Sequence, residues 1–183
     1  AETERMANGK SALPLWIKLW FLVTIPIVIW DATFILFRPQ SLPGGDLHHI
    51  WAPYATYIQI DKRYGDVNDG FVIAQSWVNL LEVVVALWGL FLASGKKTQL
   101  LIFASALMTF SKTLIYFLCE FVTGLEYTKE SFTNDPKSFL LLFVLPSSFW
   151  LVIPFFISLS VGSSLTSSAP VSASGDGKQK KKN

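Results

Sequence analysis

Asp31 lies inside PIVIWDATFILF, residues 26–37, where every near neighbour but a threonine is apolar. Glu82 and Lys112 interrupt two further apolar runs, and each gathers polar company at helical spacing. Gln75, Asn79 and Glu82 stand at i, i+4 and i+7, which is one helix face. Ser105, Thr109, Lys112, Tyr116 and Glu120 repeat that spacing over four turns, and Thr24 pairs with Asp31 seven residues on. Two carboxylates and one ammonium leave either a surplus negative charge or a bound proton. Beside aromatic faces, that combination suits a cation, whether a bound amine or a carbocation formed in place. It also suits acid–base work on an apolar substrate, with Asp31 and Glu82 as proton donor and acceptor. A purely structural role would instead pair Asp31 with Lys112 and leave Glu82 neutral, bonded to Asn79 and Gln75. Ionisable groups inside a membrane carry function by default.

The elements that must hold these residues are set by composition. Apolar residues make up 51% of the 183-residue chain and charged residues 15%, with mean hydropathy +0.43. A water-facing domain carries charge nearer a quarter of its residues. A net charge of +2 with no basic motif gives no footprint for nucleic acid. Four stretches, approximately Leu15–Phe37, Phe71–Ala93, Thr98–Cys119 and Phe139–Val161, each offer the ~20 apolar residues that cross a bilayer. The expected fold is therefore all-α: a polytopic bundle of four transmembrane helices around an internal polar pocket, since lipid offers polar stripes no partner. With ~1.5 Å of rise per residue, Asp31 falls roughly 9 Å inside its span, Lys112 and Asn79 roughly 12 Å, and Glu82 roughly 16 Å. Trp150 reaches about the depth of Glu82.

Nine basic residues, among them Arg5, Lys10, Lys96 and Lys97, fall on the side of the termini, against five on the other. The positive-inside rule then puts both termini in the cytosol. Residues 1–13 read as a cytosolic lead, the five ahead of Met6 as an upstream remnant, residues 14–161 as the membrane domain, and residues 162–183 as a disordered basic tail. That tail ends KKKN, and Lys180 and Lys181 are similar to a dilysine retrieval signal of the endoplasmic reticulum membrane. Between residues 44 and 70, Trp51, Tyr54 and Tyr57 recur every third residue, as in a short helix lying on the membrane or a packed lid. Trp16 and Trp20 suit an aromatic belt. Pro146 and Pro154 are expected to kink the fourth helix and open room beside Trp150. Phe103, Phe110 and Leu114 read as packing. The adjacent His48 and His49 read as loop residues, Cys119 as inert packing, and no metal or cofactor is expected.

YFLCE at 116–120, FWLVIP at 149–154 and DKRY at 61–64 resemble the emopamil-binding protein family of sterol Δ8–Δ7 isomerases. The wider EXPERA-domain set also contains receptors of the sigma-2 type. The resemblance spans about residues 14–161, and FWLVIP is its most specific element. It implies a sterol isomerase that protonates a double bond, holds the tertiary carbocation between acids and a tryptophan, and removes a neighbouring proton. Asp31 and Glu82 match the two acids, Trp150 the tryptophan, and Tyr116 and Glu120 belong to the YFLCE match. Gln75, Asn79, Thr109 and Lys112 are expected to line the ligand site with them. Ile27 stands where the isomerases carry histidine, and Lys112 stands where a small residue is expected. Those differences favour a relative that binds sterols or cationic amphiphilic amines without catalysis, or one that works on another isoprenoid skeleton. Membrane lipid is the expected surrounding, no nucleic acid is expected as a partner, and homodimerisation is left open.

Overall fold

In hydrocarbon a backbone N–H or C=O has no solvent partner, so an apolar run of this length closes its hydrogen bonds within itself as a helix. A computed structural model describes residues 13–167, in which four helices are long and apolar enough to cross a membrane. They are α1 (Leu15–Leu36), α3 (Gly70–Leu92), α4 (Lys96–Val122) and α6 (Pro136–Ser167). Two short helices, α2 (Tyr54–Ile60) and α5 (Lys129–Asn134), lie in the longer connections. The protein is an all-α, multi-pass membrane bundle, with no strand among the described residues. The α1–α3 and α4–α6 connections share one end, called here the loop end, and the α3–α4 turn marks the terminal end.

Side-chain caps start two of the spans. Asp69 accepts from the Val72 amide at 2.9 Å at the head of α3. Asp135 accepts from Ser138 at 3.1 Å at the head of α6, where Pro136 occupies the first turn. That cap explains why α6 begins three residues ahead of the sequence expectation. It also runs past Val161 to Ser167, correcting the expected break at Gly162. Leu165 packs on the core, and Ser167 donates back to the Ser163 carbonyl at 2.8 Å, so polar composition does not end the helix there. The lead up to residue 12 and the tail from 168, including Lys180 and Lys181, lie outside the described residues.

The terminal half is closed by apolar packing. Ile17 and Phe21 of α1 meet Ala86 of α3, Ile102 and Ala106 of α4, and Ile157 and Val161 of α6. Two glycines permit the tight approach: a Cβ on Gly89 would stand 3.1 Å from Leu101 and 3.2 Å from Ile102, and one on Gly162 would stand 3.3 Å from Phe103. In α6 a π turn at Leu140–Val144 precedes Pro146, whose ring lacks the N–H an α turn would use. Pro154 is buried within the helix.

The loop end has its own roof. Trp51 and Tyr54 are buried, so the three-residue aromatic spacing belongs to a packed lid, not to a helix floating on the membrane. Trp51 donates to the Trp30 carbonyl at 2.8 Å, and Trp30 donates to the Ile50 carbonyl at 3.1 Å, stitching lid to α1. Phe34, fully buried, stacks on Tyr54 with ring centroids 4.1 Å apart.

Candidate functional site

Beneath this lid the helices border a partly open cavity of about 590 Å³. α1 contributes Asp31, α3 Gln75 and Asn79, α4 Lys112 and Tyr116, and α6 Trp150; Tyr54, Tyr57 and Tyr64 descend from the lid. The expected pocket is thus assembled, and six of the nine expected membrane-site residues line it: Asp31, Gln75, Asn79, Lys112, Tyr116 and Trp150.

Asp31 is not ion-paired with Lys112, which corrects the structural pairing drawn from depth alone. Its Oδ1 accepts from the Tyr54 hydroxyl at 2.5 Å, and Tyr64 donates to both carboxylate oxygens at 3.2 and 3.3 Å. Burial, then the neighbouring carboxylate, pushes the Tyr54 and Tyr64 phenols well above their usual range, so both remain donors. Tyr54 and Tyr64 stack nearly parallel at 5.8 Å, and Tyr57 meets Tyr64 edge-on at 4.8 Å. One carboxylate therefore faces the cavity held by hydroxyl donors and flanked by π faces.

Lys112 belongs to a second set. Its ammonium lies 2.8 Å from Glu82 Oε2 and donates to Asn79 Oδ1. Thr109 donates to Glu82 Oε1 at 2.5 Å, and Gln75 donates to the Lys112 carbonyl at 3.0 Å. Glu82 and Thr109 are buried in the α3–α4 seam and are not among the cavity-lining residues, so the expected direct contact of these two with ligand is not what the geometry provides. Glu82 neutralises Lys112, and the proposed bond from Glu82 to Asn79 and Gln75 is replaced by these contacts. With Lys112 held by Glu82 and Asn79, Asp31 is the acid that faces the cavity, and Lys112 acts on it only through space.

Glu120 departs furthest from expectation. It is 1% exposed and bound to the Arg63 guanidinium at 3.0 Å and the Thr128 hydroxyl at 3.0 Å, away from the cavity wall. Arg63 also pairs with Asp69 at 2.7 Å and lies over the rings of Tyr127, Phe71 and Tyr116 at 4.2, 5.0 and 5.6 Å. This Arg63 knot ties the lid to α3 and α4. Cys119 is half-buried, with Arg63 Nη2 3.8 Å from its sulfur, a basic neighbour the sequence reading did not find.

Tyr116 donates its hydroxyl to Asp61, a fully buried acid of the lid that sequence reasoning had not placed in the site. Asp61 Oδ1 also accepts from the Arg63 amide at 3.2 Å. Burial drives the Asp61 carboxyl up to about 7, against the Tyr116 hydrogen bond that favours the anion; Glu120 adds to the rise. The missed residues Tyr54, Asp61, Arg63 and Tyr64 carried one signal, the aromatic spacing together with DKRY. His48 sits in a 3-10 turn with Nδ1 3.3 Å from the Ser41 carbonyl. On α6, Trp150 meets Trp20 edge-on at 5.7 Å, so Trp20 packs behind the tryptophan of the cavity wall.

No family model, curated protein or solved structure matches this chain.

Proposed function

We propose that the cavity binds a sterol-sized apolar ligand that carries or develops positive charge beside Asp31, as a binder of the sigma-2-receptor type does. The observation that carries this is the Asp31 carboxyl, held by two tyrosines in a cavity of about 590 Å³ and in no salt bridge among the described residues. That volume falls within the range of small-molecule sites, and most of the lining is aromatic or aliphatic. An amine would replace water around Asp31 with one ion pair and several cation–π contacts.

The second reading is the sterol Δ8–Δ7 isomerase. It is favoured by the same neutralisation of Lys112, since a carbocation beside Trp150 then meets a net negative wall. Proton donor and acceptor would both be Asp31, relayed by Tyr54 or Tyr64, with Glu82 acting through Lys112. The resemblance of YFLCE, FWLVIP and DKRY supports an EXPERA-type protein of sterol metabolism in either form. The excess of basic residues on the side of the α3–α4 turn supports a cytosolic placement of that side.

Two measurements on the full chain decide. Purified protein should bind radiolabelled emopamil, a lipophilic tertiary amine, and Asp31→Asn should weaken it at least about thirtyfold, as loss of one partner from a buried charge pair does. Unchanged binding in that variant would remove the cation pocket. Expression in yeast lacking sterol isomerase, with Δ8 and Δ7 sterols followed by mass spectrometry, then separates the readings. Asp31-dependent conversion supports the enzyme, and amine binding without conversion supports the binder.

A further inference from the structure

Asp61 has no part in the ion-pair chemistry just described, yet it touches the cavity wall through a phenol. Its side chain is fully buried, and Tyr116, whose ring lines the cavity, spends its hydroxyl proton on it. Five titratable or charged groups face it. They are Tyr57 from α2, which also hydrogen-bonds its carboxyl, Arg63 and Tyr64 from the adjoining 3-10 turn, and Tyr116 and Glu120 from α4. Arg63 is already shared between Asp69 and Glu120, so it does not bind the Asp61 carboxylate as a dedicated partner.

A phenol hydroxyl has one proton and two lone pairs. While Asp61 is ionised, it can only accept, so Tyr116 must donate to it and has only lone pairs left for anything else. Once Asp61 takes up a proton from water, its own O–H can donate to the phenol oxygen. Tyr116 is then free to donate elsewhere. We propose that Asp61 selects the polar group of the ligand by setting the direction of the Tyr116 hydrogen bond: an alcohol when Asp61 is ionised, a ketone when it is protonated. This deepens the reading of a sterol-sized ligand and rests on it for the choice of substrate class. Asp61 acts through Tyr116 and is a positioning residue, distinct from Asp31. The Asp61 carboxyl, held near neutrality by burial, puts the change inside the range a cell compartment spans.

The first test needs no ligand. Infrared difference spectra of the full-length protein between pH 6 and pH 8 should show loss of a protonated carboxyl stretch together with a tyrosine ring band. Asp61→Asn should abolish both, and Tyr116→Phe should weaken the tyrosine band alone, Tyr57 supplying the remainder. A carboxyl signal that survives Asp61→Asn, or a tyrosine band undiminished in Tyr116→Phe, overturns the coupling whatever the protein's function. The second test compares 5α-cholestan-3β-ol with 5α-cholestan-3-one. Their affinity ratio should move toward the ketone by about fivefold from pH 8 to pH 6, the weight of one hydrogen bond. The ratio should stay flat in Asp61→Asn and in Tyr116→Phe. A flat ratio in the native protein overturns the selection. Failure of both sterols to bind overturns the ligand class and with it the selection, while leaving the Asp61–Tyr116 coupling to the infrared result.

Discussion

Glu82 holds Lys112 across the α3–α4 seam, its Oε2 2.8 Å from the ammonium. The pair is the reason a lysine can sit in an apolar span at all, since a lone charge at the centre of a helix costs about 3 kcal/mol on insertion scales. It also decides the electrostatics of the cavity, because it leaves Asp31 as the charge a ligand meets.

Breaking the pair from one side should therefore be worse than removing both partners. Glu82→Gln leaves a mostly buried ammonium and should lower the unfolding free energy by about 3–5 kcal/mol. The double substitution Glu82→Leu with Lys112→Met should recover most of that loss. Unfolding in mixed detergent micelles measures both; equal losses would mean the pair is not coupled.

The lid should depend on a guanidinium specifically. Arg63→Ala strands Asp69 and Glu120 and should cost about 3–5 kcal/mol. Arg63→Lys should recover little, because an ammonium cannot reach two carboxylates and stack on three rings at once. Hydrogen exchange of residues 57–69 reports the effect directly, with faster exchange in both variants.

Stability should fall as pH rises through the Asp61 window. The folded carboxyl titrates near about 7 against an ordinary value of 3.8. Between those values the folded chain holds a proton that the unfolded chain has released, so raising pH favours unfolding. The difference between native protein and Asp61→Asn should grow from pH 4 to pH 7 by something on the order of a few kcal/mol and then level off. Thermal melts across that range in both proteins check the sign; a native protein that becomes more stable relative to the variant would contradict it.

Phe34 supports the chemistry without touching ligand. It fills the space behind Tyr54, and Phe34→Ala should destabilise by about 3–5 kcal/mol through the cavity left behind. Because Tyr54 loses the nearer of its two stacking partners, emopamil affinity should fall as well. Phe34→Leu should keep much of the stability, and melts beside binding isotherms separate the two effects.

The four spans were legible because a bilayer demands length and apolarity, and both are written in consecutive residues. The gathering of the polar residues was legible too: Asp31, Asn79, Lys112 and Trp150 line one cavity. Rotation about each helix axis was not, and that is why Lys112 was first matched with Asp31 instead of Glu82. Glu120 shares the α4 stripe with Tyr116, but the stripe outruns the cavity and its last turn faces the Arg63 knot. Tyr54, Asp61 and Tyr64 escaped assignment because a lid 20 or more residues away in sequence delivers them, and spacing within one helix carries no trace of that. The tail beyond Val161 was read from composition, which does not register serine hydroxyls bonding back to their own helix.

Gly89 and Gly162 lie far from Asp31, at the pinched extremity of the bundle. Their missing side chains let the helices close on one another there, and a methyl added at either would press on Leu101 and Ile102 or on Phe103.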